Sequence, residues 1–188
     1  MRMPKLSLAM LMLGLAAGQA GATGLEIQIE GEANGTVTID LLEDVAPKHV
    51  EQITSLAAAG AYDGVVFHRV IDGFMAQTGD VRYGKMGDGF DIRMAGRGGS
   101  DRPDLPAEFS DVPFERGVVG MARSQSPDSA NSQFFIMFAP GDFLNGQYTV
   151  VGKVTSGMDV VDAIKRGRGA NGAVVGVPDH MVKVTVTE

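Results

Sequence analysis

The chain has 188 residues, a formal net charge of -7, no Cys, no Trp and 26 Gly. At about 100–200 residues per domain, that length fits a single domain with a hydrophobic core of its own, and 44% hydrophobic with 21% charged residues argues against disorder. The missing Cys excludes disulfide scaffolds, thiol nucleophiles and Cys-based metal sites; three His leave little for an all-His site, and the acidic balance disfavours nucleic acid as a partner.

In chain order, Arg2 and Lys5 precede an apolar run from Leu6 to Ala17, followed by small residues at Ala20-Gly21-Ala22. A basic start, a short apolar stretch and a small-residue cleavage site describe a secretory signal peptide over residues 1–22. The run is shorter than the roughly 20 residues needed to cross a bilayer, although an uncleaved anchor is the competing reading. Removing it leaves residues 23–188 with 14 basic against 23 acidic side chains, a net charge of -9. The expectation is a periplasmic, monomeric protein with no membrane association after cleavage.

Leu25, Ile27 and Ile29 alternate with polar residues, and Val37, Ile39 and Leu41 repeat the pattern after the turn signal Asn34-Gly35, which predicts a hairpin. Pro47 to Gly60 reads as a helix, with Pro at its first position and Gly at its end. Short apolar runs follow at 64–71, 73–78, 117–122, 132–138 and 148–154. A second helix is predicted over 157–166, capped by Ser156 and Asp159 with Lys165 and Arg166 at its C-terminal end. Met181 to Thr187 alternates again. Many short strands and two helices, without strict strand–helix alternation, indicate a mainly antiparallel barrel or sandwich. Residues 79–112 have no periodicity, hold seven Gly together with Pro103 and Pro106, and form a loop long enough to be functional.

Gly79 to Lys85 has the spacing of a phosphate-binding loop, but Met86 stands where a Ser or Thr hydroxyl is needed, which excludes nucleotide binding. Ser126, Ser129 and Ser132 lack the setting of a serine nucleophile. His68 reads as an ordinary strand residue. Arg69 lies in the apolar run VVFHRVI, where alternation places it on the face of Phe67. On that pattern alone, it is either a snorkelling surface side chain or a deliberately placed, partly buried cation. Phe134 and Phe138 fall opposite Phe135 and belong to the core.

The stretch FHRVIDGFMAQTGD, Phe67 to Asp80, and the stretch from Gly117 to Val154 closely resemble the two signatures of the cyclophilin family of peptidyl-prolyl isomerases. The likeness runs from the first hairpin to the last strand. It implies a closed eight-stranded antiparallel barrel capped by two α-helices. It also implies Arg69 as the catalytic residue and Phe74, Met75, Phe135 and Leu144 as a proline pocket. Gln77 and Gln133 fall on polar substrate contacts, and Ala122 and Arg123 on the segment whose backbone pairs with the peptide. Arg123 replaces the family's usual Asn, so only its backbone role carries over. Phe143 stands where sensitive members have a Trp that contacts cyclosporin, and Tyr148 where they have His, which implies isomerase activity with weak cyclosporin binding.

These residue types suit the chemistry. The isomers of an X–Pro bond differ by only about 0.5–1 kcal/mol, yet amide resonance raises a barrier of about 18–20 kcal/mol between them. Twisting the bond frees the nitrogen lone pair, which then accepts a hydrogen bond that the planar amide cannot, so a fixed Arg stabilises the transition state selectively. No metal or cofactor is required. The expected partners are proline-containing, unfolded or flexible polypeptides, and the expected role is assisted folding in the cell envelope. A proline-binding module or holdase chaperone, which would not need the cation, is the rival reading.

Overall fold

The computed structural model describes residues 23–188; the signal peptide assigned to 1–22 lies outside the described residues. Strand β1 (Gly24–Glu30) pairs antiparallel with β2 (Gly35–Leu41) in the register Ile29↔Gly35. The hairpin forms as predicted, but its connection is the four residues 31–34 rather than a two-residue Asn-Gly turn. The Asn34 side chain donates back to the Gly31 carbonyl and closes this longer loop.

Helix α1 (Pro47–Ala58) starts on Pro47, as read from the sequence, and Gly60 takes a left-handed φ of 67° just beyond its end. Ala46 precedes the helix and has no side chain to cap it. Glu108, 60 residues further on, accepts the free N–H groups of Lys48 and His49 and closes to 2.6 Å on His49 Nδ1. The long loop is therefore tied to the helix by a carboxylate.

The remaining strands are β3 (Val65–Val66), β4 (Arg69–Ile71), β5 (Met75–Thr78), β6 (Val118–Met121), β7 (Phe134–Met137), β8 (Val150–Ser156) and β9 (His180–Thr187). All pairings are antiparallel, in the order β3-β9-β1-β2-β8-β6-β7-β5-β4. This corrects the expected closed eight-stranded barrel. The sheet has nine strands, curls only into a half-barrel, and ends on β3 and β4, whose outer edges are flanked by short loop segments around Lys85 and Ala173. The apolar run 64–71 splits between them at Phe67 and His68, whose backbone groups bond instead to Asp179 and Val174 of the C-terminal segment. Once the ladder breaks there, strict alternation breaks with it: Phe67 is buried in the core, whereas Arg69 is half-buried on the other side.

The predicted second helix is shorter than 157–166. Helix α2 (Met158–Ala163) has six residues and begins after Gly157, whose φ of 84° sets the entry angle, and no side chain caps it. Ser156 ends β8. Lys165 and Arg166 lie beyond the helix and pair with Glu32 and Asp72. Helix α1 packs against β9, and α2 against β2.

Two apolar clusters result. The main core contains Leu25, Ile27, Val37, Ile39, Ile53, Phe67, Phe134, Ile136 and Phe138 among others. The second contains Met75, Phe114, Val118, Phe135, Met137, Leu144 and Val150. Alternation along β7 sends Phe134 and Ile136 to one and Phe135 and Met137 to the other, so this part of the sheet is apolar on both faces.

Candidate active site

The site grows from one cross-strand row on the outer face of β4, β5, β7 and β6. Register aligns Arg69 with Gln77, Gln77 with Phe135, and Phe135 with Gly120. Side chains in such a row are direct neighbours. Gly120 is needed at its end because a Cβ there would sit 2.6 Å from both Phe114 and Phe135, which stack with ring centroids 5.8 Å apart.

Above this row opens a cleft of 460 Å³. It is lined by Arg69, Phe74, Met75, Gln77, Ala122, Arg123, Phe135, Phe143, Leu144 and Tyr148, which brings together ten of the eleven residues named from the sequence. Gln133, the eleventh, lies behind Gln77 and faces an adjoining hollow of 390 Å³. Gln77, Ala122 and Arg123 line both spaces. The apolar walls come from different elements. Met75 and Phe135 rise from the sheet, Phe74 from the β4–β5 turn, and Phe143 and Leu144 from a short 3-10 helix, Asp142–Leu144. Phe135 is buried and meets Tyr148 edge to face at 5.9 Å. The Phe143 ring meets that of Phe74 at 5.4 Å and remains 70% exposed, so it forms an open rim.

Arg69 is anchored on both sides. Its Nε and one terminal nitrogen donate to the carbonyl and side-chain oxygens of Asn171, at 3.0 and 3.1 Å. The other terminal nitrogen donates to Gln77 Oε1 at 3.0 Å. Gln77 Nε2 in turn donates to Gln133 Oε1, and Gln133 Nε2 to the carbonyls of Gly96 and Gly98. Partial burial pulls the Arg69 pKa below its ordinary value, opposed by Tyr148, but an arginine remains a cation throughout the neutral range. Arg69 is thus the placed, partly buried cation rather than a snorkelling side chain.

Residues 79–112 supply the far end of this chain of bonds. The buried Asp80 carboxylate accepts the N–H groups of Arg82, Tyr83, Gly96 and Gly98, pinning the loop so that its carbonyls meet Gln133. His68 lies in the break between β3 and β4 and is buried beneath the loop: a Cβ on Gly96 would lie 2.7 Å from its ring. Burial drives its pKa down to about 4 against the opposing charge of Asp80, so it is neutral at pH 7.

Arg123 departs from the expected pattern in a defined way. Its guanidinium donates to the carbonyls of Ser124, Gln125 and Gln147 and lies 4.4 Å over the Tyr148 ring. It therefore braces the wall between the two hollows. Gln147 and Asn171 were not expected in the site. Asn171-Gly172 is a turn signal in the sequence, but nothing there links it to Arg69.

A family model described as "Cyclophilin type peptidyl-prolyl cis-trans isomerase/CLD" matches residues 25–186. A Brucella suis protein named "Probable peptidyl-prolyl cis-trans isomerase" is 64% identical over 153 residues, covering 81% of this chain and 78% of that protein. A "Peptidyl-prolyl cis-trans isomerase" of Acinetobacter baylyi is 38% identical over 135 residues, covering 69% and 66%. Among solved structures, a Cryptosporidium parvum cyclophilin-type isomerase, crystallised in the presence of the dipeptide Ala-Pro, superposes with a TM-score of 0.71 at 23% identity, covering 88% of this chain and 99% of that one. The Hirschia baltica cyclophilin AquaCyp293 gives 0.69 at 24% identity, covering 86% and 73%.

Proposed function

The chain belongs to the cyclophilin-type peptidyl-prolyl cis-trans isomerases and is an enzyme of that class, and from that premise we propose that it is exported and rotates X–Pro bonds in unfolded or flexible polypeptides of the bacterial cell envelope. The observation that carries the site assignment is the Arg69 guanidinium, fixed from both sides at the edge of an apolar cleft. The proline ring occupies the space walled by Phe74, Met75, Phe135 and Leu144. That wall holds the ring while the preceding carbonyl turns, and it withholds the water that favours the more polar planar amide.

Arg69 donates to the amide nitrogen as the bond twists, without any change of protonation. Five N–H groups are available on a guanidinium, and the three bonds to Asn171 and Gln77 leave two for the substrate. Gln77 offers a polar contact beside the proline, and Gln133, which lines the adjoining hollow, holds Gln77 from behind. The Ala122 N–H is already taken by the Gln133 carbonyl, so pairing with the peptide backbone falls to the Ala122 carbonyl and the Arg123 N–H. A holdase would need the apolar cleft but not a cation held by three bonds beside it, which favours turnover over mere binding.

Export and activity are tested together by recovering the protein from the periplasm of the cell that makes it. The expected product begins near residue 23 by mass spectrometry and accelerates the slow, proline-limited refolding of an added unfolded protein. Absence of the protein from the periplasmic fraction would overturn export, an intact N-terminus would overturn cleavage near residue 22, and an unaffected slow phase would overturn the folding role.

A further inference from the structure

We propose that Asn171 is a positioning residue for prolyl isomerisation, holding the Arg69 guanidinium in the orientation that serves the twisted amide. The inference rests on the assignment of Arg69 in the preceding subsection. Asn171 lies 102 residues from Arg69 in sequence and supplies two of the three acceptors that fix it, the backbone carbonyl to Nε and the side-chain Oδ1 to a terminal nitrogen. Bonds at both places hold the planar group against rotation about its last torsion as well as against translation.

The backbone at Asn171 is built for this. With φ 55° and ψ 32°, it is the only non-glycine residue with positive φ among the described residues. Asn tolerates that conformation better than most residues because its short polar side chain compensates locally. Here the side chain bonds to Arg69, so the same left-handed turn delivers carbonyl and side chain to one guanidinium.

The segment bearing Asn171 is strapped along the outer edge of β4. Gly167 N–H donates to the Val70 carbonyl and Val174 N–H to the His68 carbonyl, with a bridge between Arg69 and Ala173. Glycine is required at two of its positions: a Cβ on Gly172 would collide with the Ile71 side chain of β4, and one on Gly167 with the strap's own Gly172 carbonyl. The strap covers an otherwise open sheet edge, and within it Asn171 gives both its acceptors to Arg69.

Asn171→Gly separates the two contributions, since Gly keeps the positive φ and the carbonyl but lacks Oδ1. In the full chain the expected result is a loss of about tenfold in kcat for a short Ala-Pro peptide, with KM within about twofold of wild type, the size of one hydrogen bond to a charged group. The Arg69 Nε–H proton should also exchange faster with solvent by NMR. The Tm should stay close to wild type. Asn171→Ala, which strains the turn as well, should lose more.

The same substitution is then made in an Arg69→Ala background, where positioning predicts no further loss of the residual rate. An equal loss in both backgrounds would make Asn171 merely structural, and wild-type kcat with unchanged proton exchange in Asn171→Gly would overturn the inference alone. If Arg69→Ala itself isomerises at the wild-type rate, the assignment of Arg69 fails and the role of Asn171 fails with it.

Discussion

The two halves of the sheet use the same alternation for different ends. In β1 and β2, alternate residues such as Leu25, Ile27, Val37 and Ile39 enter the core while Glu26, Gln28 and Thr38 lie on the opposite face, more exposed to solvent. In β5, β6 and β7 both faces are apolar. Ala76, Val119, Phe134 and Ile136 point to the core, and Met75, Phe135, Met137 and Val118 point outward to a second cluster. That outer face is covered by Phe114, Leu144 and the loops around them, but not fully, and the uncovered part is the cleft. The binding surface is therefore the outside of a curled sheet whose inside is the core, and neighbouring residues on one strand have separate tasks.

Phe134 and Phe135 break or sharpen this comparison most strongly. Phe134→Ala hollows the main core and should cost about 3–5 kcal/mol of stability in urea titrations, while the folded fraction keeps the wild-type KM for peptide. Phe135→Ala opens the wall of the cleft; it should cost less stability and raise KM severalfold. Equal effects on KM would contradict a division of labour between the faces.

His68, in the two-residue break between β3 and β4, predicts a smaller, pH-dependent effect. Its folded pKa of about 4 lies below the ordinary 6.5. As pH falls, the unfolded chain therefore takes up the proton first, and stability decreases from pH 6.5 towards 4, by at most about 3 kcal/mol. Carboxylates held low in the fold, such as Glu108 and Asp162, lose their contribution at more acidic pH. His68→Gln should thus flatten the stability profile between pH 7 and 5 in urea titrations. A slope unchanged from wild type would show that His68 is not the group responsible.

Much of this arrangement is legible in the sequence because alternation is a local property. The strands, the helix opened by Pro47, and the opposite assignments of Phe134 and Phe135 all follow from spacing. The cleft residues come from the resemblance, which transfers positions without needing geometry. What escapes is whatever depends on backbone groups finding partners far along the chain. The run 64–71 reads as one strand, but Asp179 and Val174 take its central backbone groups and divide it. Ser156 and Asp159 suggest a capped helix, whereas Gly157 turns the chain by conformation alone. Asn171 reaches Arg69 only because the strap lies along β4, and Glu108 caps α1 from a loop without periodicity.

The most direct measurement is cis–trans exchange of a short Ala-Pro peptide, followed by NMR with wild type and Arg69→Ala, together with the affinity of each for the same peptide. The account predicts that exchange on the enzyme slows by about 10²–10³-fold, as expected for loss of one preorganised transition-state donor, while affinity changes little because the apolar cleft is intact. Equal exchange rates for the two proteins would contradict it.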